Sequence, residues 1–241
     1  MCYKPSKSLA YAMMGLALAA TSGAALADVL VTYSSGAAAR AYPRGARLDD
    51  NAQIVLGRND RVTVLTSGGT RQYRGPGTYS ASGPRQIASS LAARGSASAR
   101  ARTGVSRGDL ATDGTTPARD VWQLDIGQTG LFCYLPGQPV TLWRADAQSP
   151  SAMTITGENS ATVSFAANQW TQSWPTTLTA SSGSEYRISW PGGAAPTQVK
   201  FVELTAEADD TVDIGAELLA NGCERQLEAL MAQADETAVA E

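Results

Sequence analysis

Apolar and polar residues alternate with a period of two through most of this chain, which is the spacing of half-buried β-strands. Val29, Val31 and Tyr33 open the series. Ile54, Val55 and Leu56 form a short apolar run, and Val62 and Val64 alternate with Arg61 and Thr63. Gly57-Arg58-Asn59-Asp60 between them is turn chemistry, because Gly and Asn tolerate positive φ and Asp bonds its own backbone. Gly68-Gly69 suits a tight hairpin that needs positive φ. The stretch from Asn51 to Tyr79 is therefore predicted as strand, turn, strand, turn, strand, returning over Arg71 to Arg74 and ended by Gly75-Pro76-Gly77. The Val62/Val64 strand is expected to bury one face and wet the other. Residues 38–48 carry Pro43 and Gly45 and are predicted as a loop with short extended pieces.

The second half repeats the signal at intervals of about ten residues, with Gly, Pro, Asn and Ser between strands, the signature of a β-sandwich. Strands are predicted over 121–126, 131–135, 140–145, 153–156, 161–166, 169–174, 185–190 and 198–204. Tyr186-Arg187-Ile188-Ser189-Trp190 followed by Pro191-Gly192-Gly193 resembles late strands of Ig-like domains. Beyond residue 206 the period changes. Asp209, Asp210 and Thr211 offer an N-cap, Asp213 sits in the first turn, and Val212, Leu218 and Leu219 point inward. Asn221-Gly222 stops that helix. Leu227, Leu230, Met231 and Ala234 follow the spacing i, i+3, i+4, i+7 of a second one. The expected fold is mainly β: a small β module over 28–80, a β-sandwich (Ig-like) module over 121–205, and a helical hairpin over 206–241 packed on the sandwich.

Two segments fall outside this pattern. Residues 1–27 combine Lys4 and Lys7, the apolar run Ala12 to Ala20 and the small-x-small site Ala25-Leu26-Ala27, and are predicted to be a signal peptide cleaved before Asp28. The uninterrupted apolar run is too short to span a bilayer comfortably. No stable membrane insertion after cleavage is expected, and the location is periplasmic or secreted. Residues 81–120 are rich in Ala, Ser, Gly, Arg and Thr and read as a basic linker, with a short helix over 86–94. Charge is divided accordingly. Residues 28–107 hold 12 Arg against 4 Asp, a balance of +8, and residues 108–241 hold 4 Arg and 1 Lys against 18 acids, a balance of −13. Either the halves attract each other, or the arginines serve an external polyanion such as anionic lipid or a glycan. Arg71, Arg74, Arg100 and Arg102 are the candidate anion or partner contacts.

The opening strand, Gly45-Ala46-Arg47-Leu48, Asn51-Ala52-Gln53-Ile54, Val62-Thr63-Val64-Leu65 and Gly69 together resemble the periplasmic FecR-type domain, over about a fifth of the chain. Such proteins typically add a cytoplasmic helical segment and a membrane span that signal to a sigma factor, and neither is legible in this sequence. The resemblance implies an extracytoplasmic β domain that senses or binds. It does not imply an anti-sigma factor.

Candidate chemistry is sparse. The chain has no histidine, which removes Ser-His-Asp and Cys-His catalysis and the commonest transition-metal ligand. No cofactor fingerprint, Walker loop, CxxC or zinc spacing occurs, so no cofactor is assigned. With Cys2 removed, Cys133 and Cys223 are the remaining thiols, and an exported chain with an even count suggests a disulfide between them. Asp209, Asp210 and Asp213 lack the calcium-loop spacing, and capping explains all three. Trp122, Trp143 and Trp190 read as core, while Trp170 and Trp174 stand where a rim or loop is expected. Nucleic acid is excluded by the compartment and the lack of interleaved aromatics. The leading expectation is a non-enzymatic binding or sensing module acting through an envelope protein partner. The alternatives are a structural module binding cell-wall glycan or anionic lipid, and a His-free carboxylate hydrolase.

Overall fold

The computed structural model describes residues 29–83, 120–191, 195–207 and 209–240. The predicted leader with its Ala27/Asp28 junction, and most of the linker with its helix and with Arg100 and Arg102, lie outside the described residues. The predicted linker begins too early, however. Ala81 is fully buried in the first core, and its N–H reaches the Ala52 carbonyl at 2.8 Å, so the first module extends past residue 80.

That module holds β1 (Val29–Ser35), α1 (Ala38–Ala41), β2 (Arg47–Leu48), β3 (Gln53–Leu56), β4 (Arg61–Thr66), β5 (Gly69–Arg74) and β6 (Gly77–Ser80). Four strands form one antiparallel sheet in the order β2-β1-β4-β5, and β3 pairs with β6 as a second layer. Two local expectations need correction. The loop over 38–48 contains a one-turn helix, because Ala-Ala-Arg-Ala are good helix formers before Pro43 halts them. Gly75-Pro76-Gly77 does not end the unit; the Gly75–Pro76 peptide is cis and leads into β6.

The second module holds β7 (Gln123–Asp125), β8 (Gly130–Tyr134), β9 (Thr141–Trp143), β10 (Ser151–Thr156), β11 (Ser160–Phe165), β12 (Thr171–Ser173), β13 (Glu185–Ser189) and β14 (Thr197–Glu203). All eight predicted strands are present. They form a five-stranded sheet, β11-β10-β13-β14-β8, and a three-stranded sheet, β12-β9-β7. The β8–β14 and β7–β9 pairings are parallel. One core joins the two sheets as a sandwich, from Leu124 and Leu142 on one side to Met153, Ile155, Ile188 and Phe201 on the other. Phe201 sits at its centre, met edge-on by Phe132, Tyr134, Trp174 and Tyr186 with ring centroids 4.9–5.9 Å away. Such contacts add roughly 0.5–1.5 kcal/mol each beyond area burial.

The chain ends in α2 (Thr211–Ala220) and α3 (Glu224–Ala240). Asp210 caps α2 by accepting from the N–H groups of Val212 and Asp213, both at 2.9 Å. Gly222, at φ +75°, closes the turn to α3. The expectation that the pair packs on the sandwich alone is incomplete. Val212, Ile214, Leu218 and Leu227 share a core with Leu30 and Leu65 of the N-terminal sheet as well as with Cys133, Leu135 and Leu204 of the sandwich. Gly215 permits the close approach, since a Cβ there would lie 2.7 Å from Leu65 Cδ2.

This also corrects the half-wet reading of the Val62/Val64 strand. Val62 and Val64 face Ile54, Leu56 and Tyr73 in the N-terminal core, while Leu65 on the other face lies under the helices. The N-terminal sheet is thus the middle of three layers, between the β3–β6 pair and α2–α3. Among the described residues, no helix is long and apolar enough to cross a membrane.

Candidate functional site: two half-covered sheet faces

The helical pair touches both principal sheets and covers only part of each. Three successive residues of the first turn of α3 reach three places. Glu224 takes both guanidinium nitrogens of Arg44, beside β2. The Arg225 guanidinium donates to the Thr129 carbonyl at 3.1 Å. Gln226, only 6% exposed, lies against the edge of β8. Its Oε1 accepts from the Cys133 N–H at 2.7 Å, and its Nε2 donates to the carbonyls of Cys133 at 2.7 Å and Val121 at 2.9 Å. One side-chain amide thus takes the place of a neighbouring strand on an edge that would otherwise present bare groups. Further along α3, Asp235 Oδ1 accepts from the Thr70 N–H at 2.8 Å on β5, the outermost strand of the other sheet.

The predicted cysteine pair is formed at the same place. Cys133 and Cys223 are bonded, with Cα atoms 6.1 Å apart and both residues buried. The bond ties β8 of the sandwich to the entry of α3. The charge halves also meet here. Arg44–Glu224 and Arg47–Asp213 join the basic N-terminal module to the acidic helices. Both pairs are well exposed and contribute about 0–1 kcal/mol each, so apolar packing carries the junction. These arginines are not the ones the sequence singled out.

On the sandwich, the helices cover the Val202 and Cys133 end of the outer face of β14–β8 and leave the other end open. The open end is an exposed trough of about 450 Å³ lined by β8, β10, β13 and β14. Register sets its two rows: Glu185, Lys200 and Leu131 in one, Thr156, Arg187 and Gln198 in the other. Leu131 is 45% exposed, beside the Lys200–Glu185 ion pair at 3.1 Å.

On the N-terminal sheet, the helices cover Leu30 and Leu65 and leave the opposite end open. The register places Ser35, Arg61 and Arg74 in one cross-strand row and Tyr33, Thr63 and Gln72 in the next, on the same face. Arg71, one of the two predicted contacts on this strand, belongs to the other face, opposite Val64, and its Nε is buried without a hydrogen-bond partner among the described residues. Arg71 and Arg74 are therefore not brought together, because residues three apart on a strand point to opposite faces. The structure joins Arg74 to Arg61 instead.

Sequence reasoning missed Arg61, Gln226 and Arg144. Arg144, 5% exposed, sits inside the sandwich loops. It donates to the carbonyls of Gln169, Ser149, Ala147 and Ala166 and to Ser151 Oγ, at 2.7–3.3 Å, with its guanidinium carbon 5.0 Å from the Phe165 ring centroid. It organises two loops and presents no reactive group to solvent. No local signal marks it, since its partners are backbone carbonyls. Of the tryptophans, Trp143 is buried and Trp122 and Trp190 are partly so, as expected of core residues. Trp174 caps the aromatic core and donates to the Leu178 carbonyl at 2.9 Å, while Trp170 is the exposed one.

Burial raises the Tyr73 hydroxyl, opposed by the Arg71 charge, and two further titrations are displaced. Burial pushes the Tyr134 hydroxyl up to about 12, helped by its 2.6 Å hydrogen bond to Glu203 and by that carboxylate's charge, and opposed by Ser182. Burial alone would raise Glu217, but hydrogen bonds from the Thr205 hydroxyl and N–H and from Ala206 outweigh it, and the carboxyl lies below its usual range. Among the described residues, no group of three or more His, Cys, Asp or Glu converges as a metal site. Comparison of the chain with known protein families, with curated proteins and with solved structures finds no match.

Proposed function

We propose that the chain is a non-enzymatic exported binding or sensing module that acts through a protein partner in the cell envelope. The observation that carries this reading is the trough on the sandwich. It is open rather than enclosing, and it sets an exposed Leu131 among charged and polar residues held in fixed cross-strand rows. Protein interfaces are open faces that mix apolar and polar side chains, as here with Leu131 on the edge strand beside the polar rows, whereas small-molecule sites are concave and bury most of their ligand. The buried disulfide suits an oxidising compartment, and the FecR-type resemblance points the same way. A photo-crosslinking residue at Leu131, introduced in cells, tests the reading. It should capture a defined envelope protein that the same probe at Val55, exposed on the other module, does not capture. Equal capture at both positions, or none at Leu131, refutes it.

A second reading is a structural module that binds a cell-wall glycan or anionic envelope lipid. It draws on the open end of the N-terminal sheet, where Arg61 and Arg74 face each other beside Tyr33. Retention of the full chain on a column of acidic glycan or anionic vesicles, lost with added salt, is its test, and flow-through at low salt counts against it.

A further inference from the structure

Directly opposed residues on antiparallel strands hold their Cβ atoms about 4.5–5.5 Å apart, and like charges so placed repel. Arg61 and Arg74 are opposed in this way, and both are exposed. Neither forms an ion pair with any described residue; Arg74 donates through Nε and Nη2 to Gln72 Oε1 at 3.2 and 2.9 Å. Two other arginines of the module are matched, Arg44 to Glu224 and Arg47 to Asp213, whereas the directly opposed pair on β4–β5 is a repulsion left in place. An anion between the two guanidinia removes it. Each guanidinium presents a planar fork of donors that fits a carboxylate or sulfate, and the spacing lets one such group bridge both.

The neighbouring row supplies what a bare anion does not need. Tyr33 is 48% exposed on the same face, one row from the arginines, and an aromatic ring offers an apolar surface for the C–H face of a sugar. Gln72 and Ser35 add polar groups beside it. The acidic remainder of the chain repels a polyanion, so its field favours approach at this end. We infer that the open end of the N-terminal sheet binds an acidic glycan, with a carboxylate or sulfate between Arg61 and Arg74 and a sugar ring over Tyr33. This rests on the second reading above and is independent of the trough at Leu131.

The full chain titrated with heparin fragments, with polyglutamate and with neutral dextran tests it. Heparin should bind and dextran should not. Arg61→Gln and Arg74→Gln should each weaken heparin binding about tenfold, the loss of one charge-assisted contact. Arg61→Lys, which keeps the charge and removes the fork, should weaken it too. Tyr33→Ala should weaken heparin and leave polyglutamate unchanged. Arg58→Gln, in the turn outside the row, should have no effect. Without ligand, Arg61→Gln should melt no lower than the parent chain, because the like-charge pair is gone; a lower melting temperature makes the pair structural and overturns the inference. No heparin binding at low salt sinks the second reading and the inference together. Binding that survives Arg61→Gln/Arg74→Gln leaves the reading standing and places the site elsewhere. Equal affinity for polyglutamate with no effect of Tyr33→Ala rejects the glycan.

Discussion

The two sheets that the C-terminal helices touch differ in how they are completed. The sandwich closes on itself. Its core is drawn from residues 124–201, with two sheets and an aromatic cluster sharing one interior. The N-terminal sheet does not. One of its faces is covered by β3–β6, but the other puts Leu30 and Leu65 against helices that begin nearly 150 residues later in the chain. A small β unit of this size has too little apolar surface of its own to cover both sides of a sheet. The lesson is that two modules of similar local pattern need not be equally independent, and that here one end of the chain finishes the fold of the other.

Ending the chain after residue 206 gives the strongest test of that asymmetry. The amides of β1 and β4 should lose hydrogen-exchange protection, while those of β10, β13 and β14 keep theirs. Protection retained in β1 and β4 would make the N-terminal module self-sufficient and break the comparison. A smaller effect should come from Cys133→Ala/Cys223→Ala. In the chain-entropy account a crosslink spanning 90 residues contributes about 4–5 kcal/mol, so the melting temperature should fall by several degrees or more. The loss should appear at the junction, with faster exchange in α3 and β8 than in β10–β11.

Next come two buried polar side chains, Gln226 and Arg144. Gln226→Ala strands three backbone groups where α3 docks on the β8 edge, and Arg144→Met frees four carbonyls among the sandwich loops. Each should cost about 3 kcal/mol or more in denaturant melts. Only Gln226→Ala should also loosen β1 and β4, since that side chain helps seat α3. Equal effects of both variants on the N-terminal sheet would mean that the modules unfold as one unit.

The mildest separation uses pH. Tyr134 has a folded value raised from 10.0 to about 12, so its contribution is complete below pH 10 and is lost as pH climbs through 12. Glu217 has a lowered folded value, so its contribution is present above the usual glutamate range and is lost on acidification through that range and below. Alkali should therefore weaken the sandwich first and acid the seat of α2. Tyr134→Phe should flatten the alkaline limb of a stability profile, and Glu217→Gln the acid limb. If either substitution leaves its limb unchanged, the titration is not coupled to folding.

Local pattern was enough to find the strands. Val199, Phe201, Tyr186 and Ile188 occupy the buried face because alternation is a property of neighbouring residues, and burial on one side is all it encodes. Asp210 and Gly222 were legible for the same reason, as caps act within one turn. Thr63 misled, since a polar residue alternating with valines suggests water, yet it is buried. The pairing of Cys133 with Cys223 followed from counting together with the expectation that Cys2 leaves with a leader.

What the sequence determined by itself was therefore local or arithmetical: the mainly β class, the positions of the strands and caps, and the absence of histidine. Register was decided only by the tertiary structure, and with it every candidate contact. A shift of one residue in β5 would bring Arg71 to the face that Arg61 occupies and turn Arg74 to the other, because side chains alternate with a period of two. The sequence holds both arginines but not the hydrogen-bonded partner that fixes which one faces which. The same holds for Gln226, Asp235 and Arg144, whose partners are backbone groups 93, 165 and up to 25 residues away. Backbone groups are alike at every position, so no residue type marks the one that a distant side chain will meet.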